Sequence, residues 1–144
     1  MTTIDEIKEI IDRETQEWNN QDLDLLMSIF HHDMVWSWPK TPQSHDPMDW
    51  IFELGKFDNK RWRKNWRNLF DNYYLIYNNR PIKKIVISNE GDGAFAVVDV
   101  DTLWCNRTNG RDFHWYGRAC KIYTKVNNDQ WKMIAHTGLL EYTN

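Results

Sequence analysis

Cysteine is scarce in this sequence: Cys105 and Cys120 are the only two, too few for a disulfide framework and without the spacing of a metal site. No apolar run approaches the roughly 18 residues that a membrane-spanning helix needs, and the charged N-terminal segment is unlike a signal peptide. Glycine-rich phosphate loops, paired CxxC motifs, HExxH and GxSxG are missing too. We therefore expect a cytoplasmic protein with no cofactor and no metal, including at the His31-His32-Asp33 run.

Charge of one sign is not in large excess. The chain has 18 Lys and Arg against 21 Asp and Glu, a formal charge of −3, which argues against a general nucleic-acid binder. By contrast, 41% of the residues are apolar and nine are Trp, too much large apolar surface for a disordered chain. Its 144 residues are expected to form one domain, residues 1–144.

Helical patterns precede strand patterns along the chain. Ile4, Ile7, Ile11, Glu14 and Trp18 follow helical spacing, and Asp22 can cap a second helix. The remaining predicted elements are, in order, a strand at 34–38, a helix from Asp46 to about Gly55, a helix within 57–79, and strands at 82–88, 93–105, 113–125 and 130–142. Helices followed by an antiparallel meander define an α+β domain.

Three segments together resemble a known family: WNNQDLDLLMSIFHHDMVWSWP, NEGDGAFAVVDVDTLW and YTKVNNDQWKMIAHTG. In this order they resemble the nuclear-transport-factor-2-like superfamily, specifically its SnoaL-like and ketosteroid-isomerase-like branch. The resemblance implies N-terminal helices packed into a strongly curved antiparallel sheet, which forms a cone with an interior pocket. It also implies a homodimer through the outer sheet face.

The catalytic residues of ketosteroid isomerases do not carry over. Their base falls on Trp38, their oxyanion-hole tyrosine on Glu14, and the acidic partner near Cys120. Steroid isomerisation by that mechanism is therefore rejected. Asp99, Asp101 and Arg118 are similar in type to the grouping of limonene-epoxide-hydrolase-like members, although here both acids share one strand.

The family's pocket positions predict which side chains face the cone. They place Asp99 and Asp101 inside on one strand, with Arg118 opposite Asp99 and Tyr116 opposite Asp101. The other side chains expected inside are Phe95, Val97, Leu103, His114, Cys120, Ile134, His136 and Gly138. The opposite faces, with Trp104, Trp115 and Trp131, would then form an apolar dimer interface. Alternation alone also allows the reverse, with Ala94, Ala96, Val98 and Val100 inside and the acids in water.

The predicted site combines acid–base groups with aromatic walls. As catalytic residues we assign His136 or Asp101 as base, Glu14 as acid or second base, and Arg118 with Tyr116 as oxyanion stabilisers. As ligand-binding residues we assign Trp18, Trp36, Trp38, Asp99 and His114. The structural alternatives are a slightly rolled helix, which lets Glu14 reach water or Arg118, and a core histidine at His136 that is bonded to backbone.

The predicted function is the binding of an apolar or ring-bearing small organic molecule. Cofactor-independent isomerase, dehydratase, cyclase or epoxide-hydrolase chemistry would follow if the protein is an enzyme. The alternative is a non-catalytic ligand-binding or dimerisation module. The basic aromatic segment 56–74 suits a lid over the cone better than a nucleic-acid surface, because helical spacing turns its aromatics inward.

Overall fold

The first helix forms as its pattern predicts. The computed structural model describes residues 2–41, 44 and 46–140, apart from the Asn128 side chain. α1 spans Thr3–Asn20 and begins at a capping box, in which Thr2 and Asp5 each accept a hydrogen bond from the other's backbone amide. It ends at Gln21, whose φ of 53° is left-handed. The buried side of α1 consists of Ile7, Ile10, Ile11, Glu14, Glu17 and Trp18.

The middle of the chain departs from the prediction twice. The elements are α2 (Leu23–Ile29), β1 (Phe30–Trp36), β2 (Trp38–Pro39), β3 (Trp50–Ile51), α3 (Asn59–Asn72) and β4 (Tyr73–Asn79). The helix expected from Asp46 to Gly55 is wrong: one 3-10 turn forms, because Trp50 and Ile51 instead pair with β2. The helix expected within 57–79 ends at Asn72, where a Tyr- and Ile-containing segment favours a strand.

The C-terminal half supplies the rest of the curved sheet. β5 spans Ile82–Ile87, β6 Gly93–Asn106, β7 Asp112–Val126 and β8 Gln130–His136. The strand order is β1-β8-β7-β6-β4, with β5 also paired to β6. The α+β cone class is confirmed, but the sheet is mixed rather than wholly antiparallel, because β1 runs parallel to β8. Tyr142, where the last strand was expected to end, lies outside the described residues.

The face of β6 that lies in the interior is the opposite of the one expected from the family's pocket positions. Asp99 and Asp101 lie on the outer face of the sheet, so the prediction that they line the interior is wrong. Both faces of β6 carry apolar residues, and alternation alone could not choose between them. Small inner side chains leave room for Ile7 and Ile11 of α1 in the same core. The buried residues of β6 are Ala94, Ala96, Val98, Val100, Thr102, Trp104 and Cys105.

β7 follows the same phase as β6. Asp99 pairs with Arg118 and Asp101 with Tyr116, so the predicted register between these strands is confirmed. Because cross-strand partners share a face, Arg118 and Tyr116 are also on the outer face, together with His114. The expectation that these three side chains face the cone is therefore wrong.

A bulge in β8 changes which face its residues occupy. Ile122 pairs with Ala135 whereas Tyr123 pairs with Met133, which leaves Ile134 as an extra residue on β8. As a result both Met133 and His136 are buried, although simple alternation would place them on opposite faces. The interior position expected for His136 is confirmed.

The tryptophans expected at a dimer interface belong to the interior instead. Trp104 is 0% exposed and Trp131 is 8% exposed. The Trp115 ring packs edge-on against Trp18, with centroids 5.4 Å apart, and against Trp104 at 5.3 Å. These three side chains are therefore not available to a second copy, and the homodimer itself stays a prediction.

Candidate functional site

A cavity of about 440 Å³ opens between the helices and the inner face of the sheet. Five of the predicted site residues line it: Glu14, Trp18, Trp36, Trp38 and His136. The other lining residues are Pro39, Lys40, Thr41, Asn65, Trp66, Leu69, Arg80, Val100, Phe113, Trp115, Gly138 and Leu139. Exposed lining residues such as Lys40 mark the mouth, and the buried ones mark the floor.

Aromatic rings that pack edge to face form the walls. The Trp18 centroid lies 5.1 Å from that of Trp66 and 5.4 Å from that of Trp115, with interplanar angles of 86° and 88°. The Trp36 and Trp66 centroids are 5.4 Å apart. This arrangement holds each ring in a fixed orientation, so the cavity is preformed for a flat apolar group.

Glu14 is held at the floor of the cavity by a closed set of donors. Lys121 Nζ donates to Glu14 Oε1 at 2.7 Å and to Oε2 at 2.9 Å. Trp18 Nε1 and Arg80 Nη1 also donate to Oε2, at 2.9 and 3.3 Å. Burial alone would raise the pKa of Glu14, but the charges of Lys121 and Arg80 lower it to about 2. Glu14 is consequently ionised and fully engaged.

Arg80 brings a second cation to the same carboxylate. Its side chain is only 5% exposed, and its Nε donates to Asn78 Oδ1 at 2.8 Å. The guanidinium also lies over the Trp18 ring, 5.5 Å from the centroid. Burial lowers the pKa of Arg80 and the charge of Glu14 raises it; an arginine keeps its charge under such conditions. The floor of the cavity therefore contains the charged guanidinium of Arg80 among aromatic rings.

The neighbouring titratable groups do not balance these charges. Lys121 and Arg80 both pair with Glu14, so two cations share one carboxylate. Burial raises the pKa of Tyr123 well above its usual value, which keeps this phenol neutral. Its hydroxyl is buried without a hydrogen-bond partner among the described residues. The buried cluster of Glu14, Arg80, Lys121 and Tyr123 thus has an excess of one positive charge.

His136 is a neutral donor rather than a free base. Its ring stacks on Trp36 at 3.9 Å, and its Nδ1 accepts a hydrogen bond from the Gly138 amide at 2.8 Å. Burial, together with the charge of Lys121, lowers the pKa of His136 well below 6.5. With Nδ1 occupied as an acceptor, the proton belongs on Nε2. Nε2 has no hydrogen-bond partner among the described residues.

Gly138 allows the chain to close over this end of the cavity. Its φ is +75°, and an added Cβ would lie 2.4 Å from the Cβ of Trp38 and 2.9 Å from the carbonyl oxygen of Ser37. Only glycine accepts both the backbone conformation and the close approach. The glycine therefore sets the position of the Trp38 wall.

The other predicted site residues form a separate polar cluster across the sheet. Arg118 Nε donates to Asp99 Oδ1 at 2.7 Å, and His114 Nε2 lies 2.6 Å from Asp101 Oδ1. Tyr116 is 49% exposed beside them. These five side chains cannot act on a small molecule in the cavity together with Glu14 and His136, because the sheet separates the two groups.

Two residues that contact Glu14 were not predicted from the sequence, Lys121 and Arg80. Lys121 alternates with Ala119 and Tyr123, the inward phase of β7, and a lysine in such a phase is a signal for a buried ion pair. Arg80 stands in the connection between β4 and β5, where no local pattern reveals its direction. Both lie far along the chain from the Glu14 that they contact.

A weak metal-type grouping lies at the surface. His31, His32 and Asp33 place potential ligand atoms within 4.8 Å of one another. Lys56 Nζ lies 2.7 Å from Asp33 Oδ1, so this carboxylate already has a cation. No other such group occurs within residues 2–41, 44 and 46–140.

The described helices include none that is long and apolar enough to cross a membrane.

Comparison with known proteins identifies the fold class. No protein-family model matches the chain, and no curated protein matches its sequence. A conserved protein from Planctomyces limnophilus has a TM-score of 0.75 at 15% identity, over 93% of this chain and 92% of that one. A ketosteroid isomerase-like protein from Erwinia carotovora atroseptica has a TM-score of 0.69 at 13% identity, over 92% and 91%.

A third similar structure is that of a protein assigned to a superfamily. A nuclear transport factor 2-like superfamily protein from Salmonella enterica has a TM-score of 0.68 at 17% identity, over 99% of this chain and 93% of that one. The chain is thus an α+β cone with an aromatic cavity. Its fold is that of nuclear-transport-factor-2-like proteins, so the resemblance expected from the sequence is confirmed at the level of the fold.

Proposed function

We propose that the chain binds a small ring-bearing organic molecule in the aromatic cavity. The observation that carries this proposal is a volume of about 440 Å³ walled by tryptophans, with a few polar groups at the floor. Pockets for small organic ligands have volumes of roughly 300–1,000 Å³ and the same division between apolar walls and few orienting polar groups. Flat walls favour flat ligands, because ring faces can then stack or meet edge to face.

The chemistry of the floor supports binding over proton abstraction. Glu14 is the only carboxylate in the described lining, and both of its oxygens accept hydrogen bonds from Lys121. With its pKa lowered to about 2, Glu14 is a weak base. His136 offers a donor to the cavity, since its Nδ1 is already occupied. Isomerase, dehydratase, cyclase or epoxide-hydrolase chemistry would need a base that these two residues do not supply, so we favour the non-catalytic module.

A cavity-filling substitution tests this proposal. Leu69 lines the cavity, whereas Leu25 is 53% exposed on α2 and does not. Binding of benzamide, 2-naphthamide, benzoate and 2-naphthoate would be measured by titration calorimetry. We expect binding to the wild type, a loss of about tenfold or more in Leu69→Trp, and no change in Leu25→Trp.

Two outcomes would contradict the proposal. One is that none of the four compounds binds the wild type. The other is that Leu69→Trp binds as tightly as the wild type while retaining its thermal unfolding temperature, since the ligand would then lie elsewhere.

A further inference from the structure

The floor of the cavity carries hydrogen-bond donors that the protein itself does not use. An arginine has five N–H groups. In Arg80 one donates to Asn78 Oδ1 and one to Glu14 Oε2. The remaining donors, including both of Nη2, have no partner among the described residues, although the side chain is only 5% exposed and lines the cavity. These donors face the cavity from a side chain that is largely removed from water, so they are free to bind a ligand group that accepts hydrogen bonds.

A second unused donor faces the same cavity. His136 lines it, and its Nδ1 accepts the hydrogen bond of the Gly138 amide. The Nε2–H is left for a ligand. The guanidinium of Arg80 and the Nε2–H of His136 offer hydrogen-bond donors and no acceptor. A ligand group that accepts hydrogen bonds without donating any would suit both.

The charge of the floor is consistent with this. Glu14 compensates one of the two cations that contact it, Lys121 and Arg80. Lys121 reaches both oxygens of Glu14 and is 1% exposed, so Arg80 is the cation that remains open to the cavity. A buried excess charge is unfavourable, and an anion bound against Arg80 would neutralise it.

We infer that the ligand is an organic anion, a ring-bearing carboxylate whose oxygens bind Arg80 and His136 while its ring lies among the tryptophans. This inference rests on the proposed function. Arginine suits the role because its planar fork binds the two oxygens of a carboxylate side by side. Lys40 at the mouth adds a positive charge on the path of entry.

Matched ligands isolate the contribution of the charge. The compounds 2-naphthoate and 2-naphthamide share a ring and a shape, and they differ in the group that would meet Arg80. We expect the wild type to bind 2-naphthoate about tenfold to a hundredfold more tightly than 2-naphthamide, the range for hydrogen bonds to a charged group. Equal affinities would overturn the inference and leave the proposed function standing. If neither compound nor its benzene analogue binds, the proposed function fails and the inference falls with it.

A variant then assigns the preference to Arg80. Arg80→Gln leaves the Glu14–Lys121 pair with balanced charge, so we expect it to fold, as circular dichroism would check. Its affinity for 2-naphthoate should fall to that for 2-naphthamide, while the affinity for the amide stays near the wild-type value. Arg111→Gln, at an exposed residue of the β6–β7 turn, is the matched control and should keep the preference.

A preference retained in Arg80→Gln would overturn the assignment to this residue. If Arg80→Gln does not fold, Arg80→Lys keeps the charge but loses the fork. A reduced preference for the carboxylate in Arg80→Lys would support the inference, and an unchanged preference would count against recognition by the fork.

Discussion

Lys121 on β7 donates to both carboxylate oxygens of Glu14 on α1, at 2.7 and 2.9 Å, across 107 positions of sequence. The pair joins the first helix to the centre of the sheet and is almost completely buried. Arg80 contacts the same carboxylate, so the removal of different members leaves different charges behind.

The charge that each substitution leaves behind predicts the order of stability among variants of Glu14 and Lys121. Glu14→Gln leaves two buried cations, and we expect it to lower the free energy of unfolding by about 3–5 kcal/mol. Lys121→Met leaves Glu14 facing Arg80 and should cost less, about 1–3 kcal/mol. Urea denaturation at pH 7 measures both, with the exposed Glu9→Gln expected within about 0.5 kcal/mol of the wild type. A smaller loss for Glu14→Gln than for Lys121→Met would contradict the charge count.

Glu17, one turn after Glu14, should make the protein less stable as the pH rises. It is 4% exposed, its Oε2 has no partner among the described residues, and burial raises its pKa from 4.5 to about 7. Arg13 lowers this pKa, whereas Glu14 and Asp22 raise it further. A raised carboxyl pKa contributes stability below pH 4.5, and that contribution is lost as the pH rises from 4.5 through about 7.

Glu17→Gln tests this pH dependence. We expect the variant to be about 3 kcal/mol more stable than the wild type at pH 8, with little gain at pH 4.5. Urea denaturation at a series of pH values would measure the difference, and Glu9→Gln again serves as the control. A gain that does not change with pH would rule out titration of Glu17 as its source.

The sequence predicts which face of α1 is buried, but it does not predict which face of β6 is buried. The period of α1 correctly placed Glu14 and Trp18 inward, because a helix buries one stripe and the apolar residues mark it. β6 is apolar on both faces, so its local pattern fits either orientation, and small residues facing α1 decide it. Asp99 and Asp101 were therefore placed on the wrong side.

Long-range pairing explains the other errors. The bulge at Ile134 changes which residues of β8 face the interior, and the local sequence does not predict a bulge there. The parallel pairing of β1 with β8 joins segments about a hundred positions apart. Only the assembled fold brings Lys121 and Arg80 to Glu14, which is why the charged floor of the cavity could not be predicted.

Gly138 should be needed for the shape of the cavity as well as for its backbone conformation. Gly138→Ala places a Cβ 2.4 Å from the Cβ of Trp38, whereas Gly110→Ala, with a similar φ of +70°, meets nothing within 4 Å. Backbone strain alone should cost about 1 kcal/mol in Gly110→Ala, and the clash should add about 1–3 kcal/mol in Gly138→Ala. Urea denaturation compares the two. Equal losses of unfolding free energy in the two variants would show that Trp38 moves aside without destabilising the protein.

The outer polar cluster should make no difference to the cavity ligand. Asp101 lies across the sheet from the cavity and contacts His114 at 2.6 Å, and Asp99 contacts Arg118. Neither carboxylate lines the cavity, so Asp99→Asn and Asp101→Asn should bind 2-naphthoate within about twofold of the wild type. Calorimetric titration of both variants beside Arg80→Gln gives the comparison. A tenfold loss in either aspartate variant, with Arg80→Gln unaffected, would move the ligand site to the outer face, because only there do these carboxylates meet a bound molecule.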